Sequence, residues 1–302
     1  MKHIKQQKTG FTLIELLVVM SIIALLLSIL MPALGRAKAE AMLTKDSSQV
    51  KSIYGGFSFW APSHNGKYPI PGLQERLEDD SIGGFVKGRG PENLLVNDHA
   101  SMLSMCIMES LFSPEALVAP TEQSPYIAIM LGYDYDEYDA GSGWTFWDRD
   151  FANDLAGNCN NSYGVIPITG KRKDQNWGIS SHNPTGFALI GNRGPENGDY
   201  DLNEYSNSYL LHGNDQDWKG VVSFGDGHIS TLDTLYPMSS TYLNASGNSV
   251  ADNIFEEAPE QSFDAAYGDG LGQGADIVLT HVKVDEVNDD LKAGGCDEFS
   301  YD

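Results

Sequence analysis

The chain has 302 residues, and its 42 acidic against 19 basic side chains give a formal charge of −23. Such a balance excludes a nucleic-acid partner, which needs basic surface, and describes either a self-repelling solvated surface or one that recruits divalent cations. Three cysteines (Cys106, Cys159, Cys296) leave at least one thiol unpaired, and no Gly-x-Ser-x-Gly, His-Glu-x-x-His or phosphate loop points to catalysis.

The first ten residues form a basic leader with Lys2, Lys5 and Lys8. An apolar run over 11–34 follows, long enough to cross a bilayer at roughly 36 Å as a helix. A secretory signal needs a small-residue cleavage site after such a run; here Gly10 precedes it. A simple signal anchor accounts for the lysines but not for Glu15, a carboxylate inside the apolar segment and therefore a functional candidate.

Residues 35–60 continue as an amphipathic helix with Val50, Ile53, Tyr54 and Phe57 as its apolar stripe, weakened at Gly55-Gly56 and stopped at Pro62. A large head takes up 61–302. A second helix is predicted from Pro91 to Phe112, with Cys106 a buried thiol and Met102, Met105 and Met108 as core filling rather than a copper site. Strands are predicted at Tyr126–Leu131, Tyr163–Ile168, Phe187–Ile190, Val221–Phe224, His228–Leu232 and Asp276–Val284, with Gly225-Asp226-Gly227 as a hairpin turn. The stretch from Pro237 to Gly274 reads as a long surface excursion, and the acidic tail after Val284 as mobile. The fold class is α+β: a long N-terminal helix packed on an antiparallel sheet.

Cys159 and Cys296, both in polar surroundings, are the candidate disulfide pair, which spacing alone does not settle. Asn197, Asp199, Asp201 and Asn203 alternate oxygen ligands as a calcium (Ca2+) site would, although Glu204 stands where an EF-hand loop wants glycine. Asp134-Tyr-Asp136-Glu137-Tyr-Asp139 and Asn214-Asp215-Gln-Asp217 are similar, and all three also fit solvated acidic loops. The aromatic group Trp144, Phe146, Trp147 and Phe151 fits a core or interface, or a platform that stacks on sugars.

The string Lys8-Thr9-Gly10-Phe11-Thr12-Leu13-Ile14-Glu15 resembles the class III signal of type IV pilins and pseudopilins. The resemblance implies cleavage between Gly10 and Phe11 by a membrane-embedded prepilin peptidase, with methylation of the new Phe11 amine. That amine, from a neighbouring subunit, becomes the partner of Glu15 and sets filament register. Pro32 matches a proline at which related helices melt on assembly. After the leader is lost, 16 basic and 42 acidic residues remain, a formal charge of −26.

A second resemblance, to prepilin-like proteins of planctomycetes, rests on Phe187 to Pro195, on His212-Gly-Asn and on Gly220 to Ile229 with its Asp226-Gly227-His228 turn. The spacer after His212 is longer than in that family. His212, Asp226 and His228 then either brace a turn or form a metal or catalytic cluster. These resemblances imply a pilin-like subunit of a type IV pilus-like or type II secretion pseudopilus filament, itself the substrate of an enzyme rather than an enzyme. Its partners are copies of itself, other pilin-like subunits, the prepilin peptidase and the inner-membrane assembly machinery. It sits in the inner membrane before assembly and then in a periplasmic or surface filament, head outside the cytoplasm. Some pseudopilins fold a C-terminal loop around calcium, which supports the ligand set at 197–203. The alternative is a minor pilin or adhesin with a glycan- or surface-binding head, and a tethered hydrolase is a distant third.

Overall fold

The computed structural model describes residues 12–138, 145–180, 185–195, 198–200, 206–214, 217–243, 248–256, 279–283 and 298–300. The chain divides into two units, Met1–Thr44 and Lys45–Asp302.

Helix α1 runs Leu13–Trp60 and contains Pro32. In the first unit, every described residue from Thr12 to Ala41 is exposed, including Leu17 and Leu25. Ser21 and Ser28 turn their hydroxyls back onto Val18 O (2.8 Å) and Leu25 O (2.7 Å), which hides polar groups along an apolar surface.

In the second unit the same helix is amphipathic. Asp46, Val50, Ile53, Gly56, Phe57 and Trp60 are buried, at the spacing of one helical face. The predicted stripe is there, and two of its outer members went unrecognised: Asp46 one turn before Val50, and Trp60 one turn after Phe57. Gly55-Gly56 do not end the helix. Gly56 lets Phe112 approach so closely that a Cβ would lie 2.9 Å from its ring. Pro62 then falls in the short 3-10 turn Ala61–Ser63. Phe57 packs on Phe112, Tyr68 and Trp177 at centroid distances of 6.2, 6.3 and 5.2 Å. Burying each such side chain contributes about 1.5–3 kcal/mol.

Helix α2 spans His99–Met108, shorter than the predicted Pro91–Phe112. Side chains ahead of it compete for the backbone. Asn93 accepts from Leu95 N and opens a separate 3-10 turn, Leu94–Val96. Asn97 turns its Oδ1 to Gly72 N at 2.9 Å, and Asp98 caps α2 through Ser101 N at 2.7 Å. Met102, Met105 and Cys106 are buried, and burial raises the Cys106 thiol pKa well above its ordinary value.

Four strands form an antiparallel sheet in chain order: β1 (Tyr163–Val165), β2 (Ala188–Asn192), β3 (Gly220–Phe224) and β4 (Ile229–Leu232). Tyr163 pairs with Asn192, Gly191 with Val222, and Val222 with Ser230. Every residue of β2 and β3 is buried, so these strands are apolar runs rather than alternating ones. The Gly225-Asp226-Gly227 turn joins β3 to β4. The helices α3 (Gly170–Gln175) and α4 (Tyr209–His212) are short.

One expected strand is corrected, and two later stretches gain detail. Tyr126–Leu131 is not a strand: Tyr126, Ile129 and Leu131 are exposed, and Ile127 makes one parallel bridge to Cys159. The stretch after Pro237 contains a hairpin of β5 (Thr241–Leu243) and β6 (Ser249–Ala251). The tail holds β8 (Glu298–Ser300), which pairs with β7 (His281–Lys283). Thr280, just before β7, bridges Val165 of β1.

His99 fastens α2 to the β7 end of this arrangement. Its Nδ1 accepts from Val282 N at 3.1 Å, so Nε2 carries the proton that it donates to Ile166 O at 3.0 Å. Burial holds His99 down at about 4. Burial and then the neighbouring His99 and Arg193 hold His281 at about 3.

Candidate functional site

At the N-terminus, Gly10 and Phe11 lie outside the described residues. The structure begins at Thr12, and Thr12 and Glu15 close a reciprocal cap on α1. Glu15 Oε2 accepts from Thr12 N at 2.9 Å and from Thr12 Oγ1 at 2.7 Å, while Glu15 N donates to Thr12 Oγ1 at 3.3 Å. This is a capping box, the pattern Thr-x-x-Glu supplying two of the four amides a helix start leaves open. Sequence reasoning treated Glu15 as a charge in need of a partner and overlooked this one, although the Thr12–Glu15 spacing carries it. Pro32 sits inside α1 and leaves the Ser28 carbonyl without its usual amide. The helix is long and apolar enough to cross a membrane.

The second candidate centre lies in the head. Asp46, with no exposed surface, receives two side chains. The Tyr163 hydroxyl donates to its Oδ1, and His212 Nε2 lies 2.6 Å from its Oδ2. Burial first, and then the Asp46 carboxylate, push the Tyr163 phenol far above its ordinary range, so it remains a donor. A buried carboxylate without partners is costly, and these two supply the hydrogen bonds that make it tolerable.

Two turns further along the same face, Tyr54 meets the hairpin turn. Its hydroxyl donates to Gly225 O at 3.1 Å. Gly227 has φ +84°, and a Cβ there would lie 2.8 Å from the Tyr54 ring. The turn needs glycine both for its left-handed backbone and for this close approach. Inside the turn, Asp226 Oδ1 accepts from His228 N at 3.0 Å and lies 2.5 Å from His228 Nδ1. Burial pushes the Asp226 carboxyl up, but these bonds outweigh it and hold it below the usual carboxylate range. The His228 ring stacks on Phe224 at 4.4 Å.

The structure therefore brings His212 and the Asp226-Gly227-His228 turn to the Asp46–Trp60 segment of α1, at Asp46 and Tyr54 respectively. Asp46 and Tyr163, which were not singled out, and Tyr54, which was read only as part of the apolar stripe, complete the arrangement. The available signal was Asp46 itself, a carboxylate four residues before Val50 on an apolar stripe. Among the described residues no group of three or more His, Cys, Asp or Glu is placed to hold a metal.

Of the calcium candidates, Asn197, Asp201 and Asn203 lie outside the described residues, and Asp199 alone is described. Asn214 Nδ2 donates to Asp217 Oδ2 at 2.8 Å, and Asp134 Oδ1 accepts from Asp136 N at 2.8 Å. Cys159 is fully buried, with its thiol 3.1 Å from Asn161 O, and burial raises it to about 12. Cys296 lies outside the described residues. Trp144 does too, while Phe146, Trp147 and Phe151 are buried. Trp147 and Phe151 line a cavity of about 300 Å³ with Asp98, Asp148, Asn153 and Asp154. Burial raises Asp98 to about 6 against the bonds it accepts from Ser101.

A long apolar N-terminal helix and an antiparallel four-stranded sheet make this a pilin-like α+β protein. A family model, the prokaryotic N-terminal methylation motif, matches residues 5–31. That motif indicates a type IV pilin or pseudopilin that prepilin peptidase processes, and pilin-type proteins are structural rather than catalytic. Together with the apolar helix it fits anchoring in the membrane before assembly. No curated protein and no solved structure matches the chain.

Proposed function

We propose that the chain is a structural subunit of a type IV pilus-like or type II secretion pseudopilus filament, cut between Gly10 and Phe11 and assembled through the apolar half of α1. One observation carries this reading. Glu15 lies on an exposed apolar helix, and Thr12 of its own chain is its hydrogen-bond partner. In a bilayer or a filament core that carboxylate needs a countercharge. The new amine of Phe11 on a neighbouring subunit is suited to supply it, next to Thr12. A buried ionic group of this kind sets register more than it adds stability. Glu15→Ala tests this in cells: export and cleavage persist while incorporation into filaments is lost. Normal filaments from that variant would refute the reading in favour of a tethered monomer.

A second reading, a minor pilin with a glycan-binding head, is favoured by the 300 Å³ cavity in which Trp147 and Phe151 meet three carboxylates and Asn153. Aromatic faces beside acceptor oxygens suit a hydroxyl-rich ring. A glycan array probed with the full chain in detergent checks it. Specific binding that Asp154→Ala abolishes supports it, and an array without signal removes it.

A further inference from the structure

A separate cavity, of about 280 Å³, opens where the chain leaves α1. It is lined by His64, Gln74, Arg76, Lys87 and Phe146 among others, with no carboxylate among the described lining residues. In a chain with 42 acidic and 19 basic residues this is an unusual concentration of positive charge. The contrast with the other cavity is direct: Asp98, Asp148 and Asp154 line that one beside a single Arg149.

The cationic groups are placed and uncommitted. Arg76 is half-buried, and its guanidinium is fixed by two carbonyls: Nε donates to Leu73 O at 3.1 Å and Nη1 to Gly90 O at 2.8 Å. Nη2 has no partner among the described residues. The Lys87 ammonium has no hydrogen bond or ion pair there either. His64 stacks on Trp60 at 3.7 Å with the rings 3° apart, and its Nδ1 donates to Trp60 O at 3.0 Å, leaving Nε2 unengaged. Glu75, the carboxylate next in sequence to Arg76, is turned to Arg149 and does not neutralise the cavity.

We propose that this cavity binds a small oxyanion of carboxylate or phosphate type, with Arg76 and Lys87 as its charged contacts and His64 as the wall. A guanidinium held by its own backbone loses little freedom when it receives a planar carboxylate or a phosphate, and its free edge presents donors in the geometry such groups accept. The volume admits an acidic monosaccharide as well as inorganic phosphate. The proposal does not depend on the filament reading.

Calorimetric titration of the full chain in detergent micelles, at constant ionic strength, tests it with two probes: inorganic phosphate and glucuronate. Saturable binding of either one is the expected result. Phosphate alone identifies a free-phosphate site, and glucuronate alone an acidic-sugar site. Lys87→Gln, at an exposed side chain with no hydrogen bond or ion pair among the described residues, weakens binding about tenfold, as loss of a charged hydrogen bond does. Arg76→Gln weakens it at least as much, while Lys51→Gln, which removes one positive charge from an exposed position outside the cavity lining, leaves it unchanged. No saturable binding of either probe, or binding indifferent to Lys87→Gln, overturns the proposal.

Discussion

The two halves of α1 are made from one helix and meet opposite demands. From Leu13 to Leu34 the apolar side chains run round the whole helix and are exposed in the single chain. From Asp46 to Trp60 one face carries Val50, Ile53, Phe57 and Trp60 and is buried in the head, while Phe59 on another face is exposed. Polar groups follow the same division. In the first half Glu15 is answered locally, by Thr12 three residues away. In the second, Asp46 is answered from far along the chain, by Tyr163 and His212. A carboxylate that depends on distant residues ties the head's fold to the helix, whereas one satisfied by its own turn leaves the fold indifferent to it. The first kind of residue governs the head's stability, and the second is the one we propose to govern assembly.

This difference is open to attack by substitution. The largest effects on the head fall in the second half. Phe57→Ala removes a ring packed among Phe112, Tyr68 and Trp177 and costs about 3–5 kcal/mol. Asp46→Ala strands the Tyr163 hydroxyl and the His212 imidazole in the interior and costs a similar amount, about 3–5 kcal/mol. Leu17→Ala in the first half leaves the head's stability unchanged. Denaturant unfolding of the full chain in detergent, followed by tryptophan fluorescence, checks all three. A Leu17→Ala loss equal to that of Phe57→Ala would erase the distinction.

Acid comes next. His99 and His281 are neutral in the fold because burial holds them at about 4 and about 3, while both take up protons near pH 6.5 once unfolded. Between those values the unfolded chain binds more protons, so the head loses stability as pH falls below about 6.5. Asp98 acts in the opposite sense. Raised to about 6, it protonates in the fold before its unfolded counterpart does, and the folded state gains as pH falls from there toward 4. Two histidines outweigh one carboxyl, so unfolding at pH 5 is easier than at pH 6.5 by on the order of 2 kcal/mol. Replacing His99 by Gln flattens the pH profile; an unchanged profile would show that the histidine is not held neutral.

The smallest of these effects belongs to the turn that meets Tyr54. Gly227→Ala forces a side chain into a left-handed backbone beside the Tyr54 ring and costs about 1–2 kcal/mol. Tyr54→Ala in the same background removes the ring that the new Cβ meets and gives back none of the backbone part, which separates conformational strain from the steric contact.

The elements legible from residues alone were those whose signal is local. The apolar run, the Val50–Ile53–Phe57 stripe and the glycine-bounded turn each announce themselves within a dozen residues, and all appear in the structure. The strands β2 and β3 were legible because short apolar runs between turn residues have few other uses. Tyr126–Leu131 has the same composition and is not a strand, because sheet formation depends on a partner that composition does not reveal. The start of α2 was missed because Asn93, Asn97 and Asp98 divert backbone amides before the helix begins, and such competition is decided residue by residue. In the candidate site, His212 and the Asp226-Gly227-His228 turn were visible as a pattern. Their destination was not, since Asp46 lies 166 residues before His212 in the chain.

The central claim is that the apolar half of α1 serves assembly while the other half serves the fold. Glu15→Ala in the native host tests it most directly, by measuring in one strain both the variant's stability and the fraction of it recovered in sheared filaments. The account predicts a cleaved, membrane-inserted protein whose head unfolds like the parent's and which is missing from filaments. A variant that enters filaments at the parental level, or one whose head is destabilised, would contradict it.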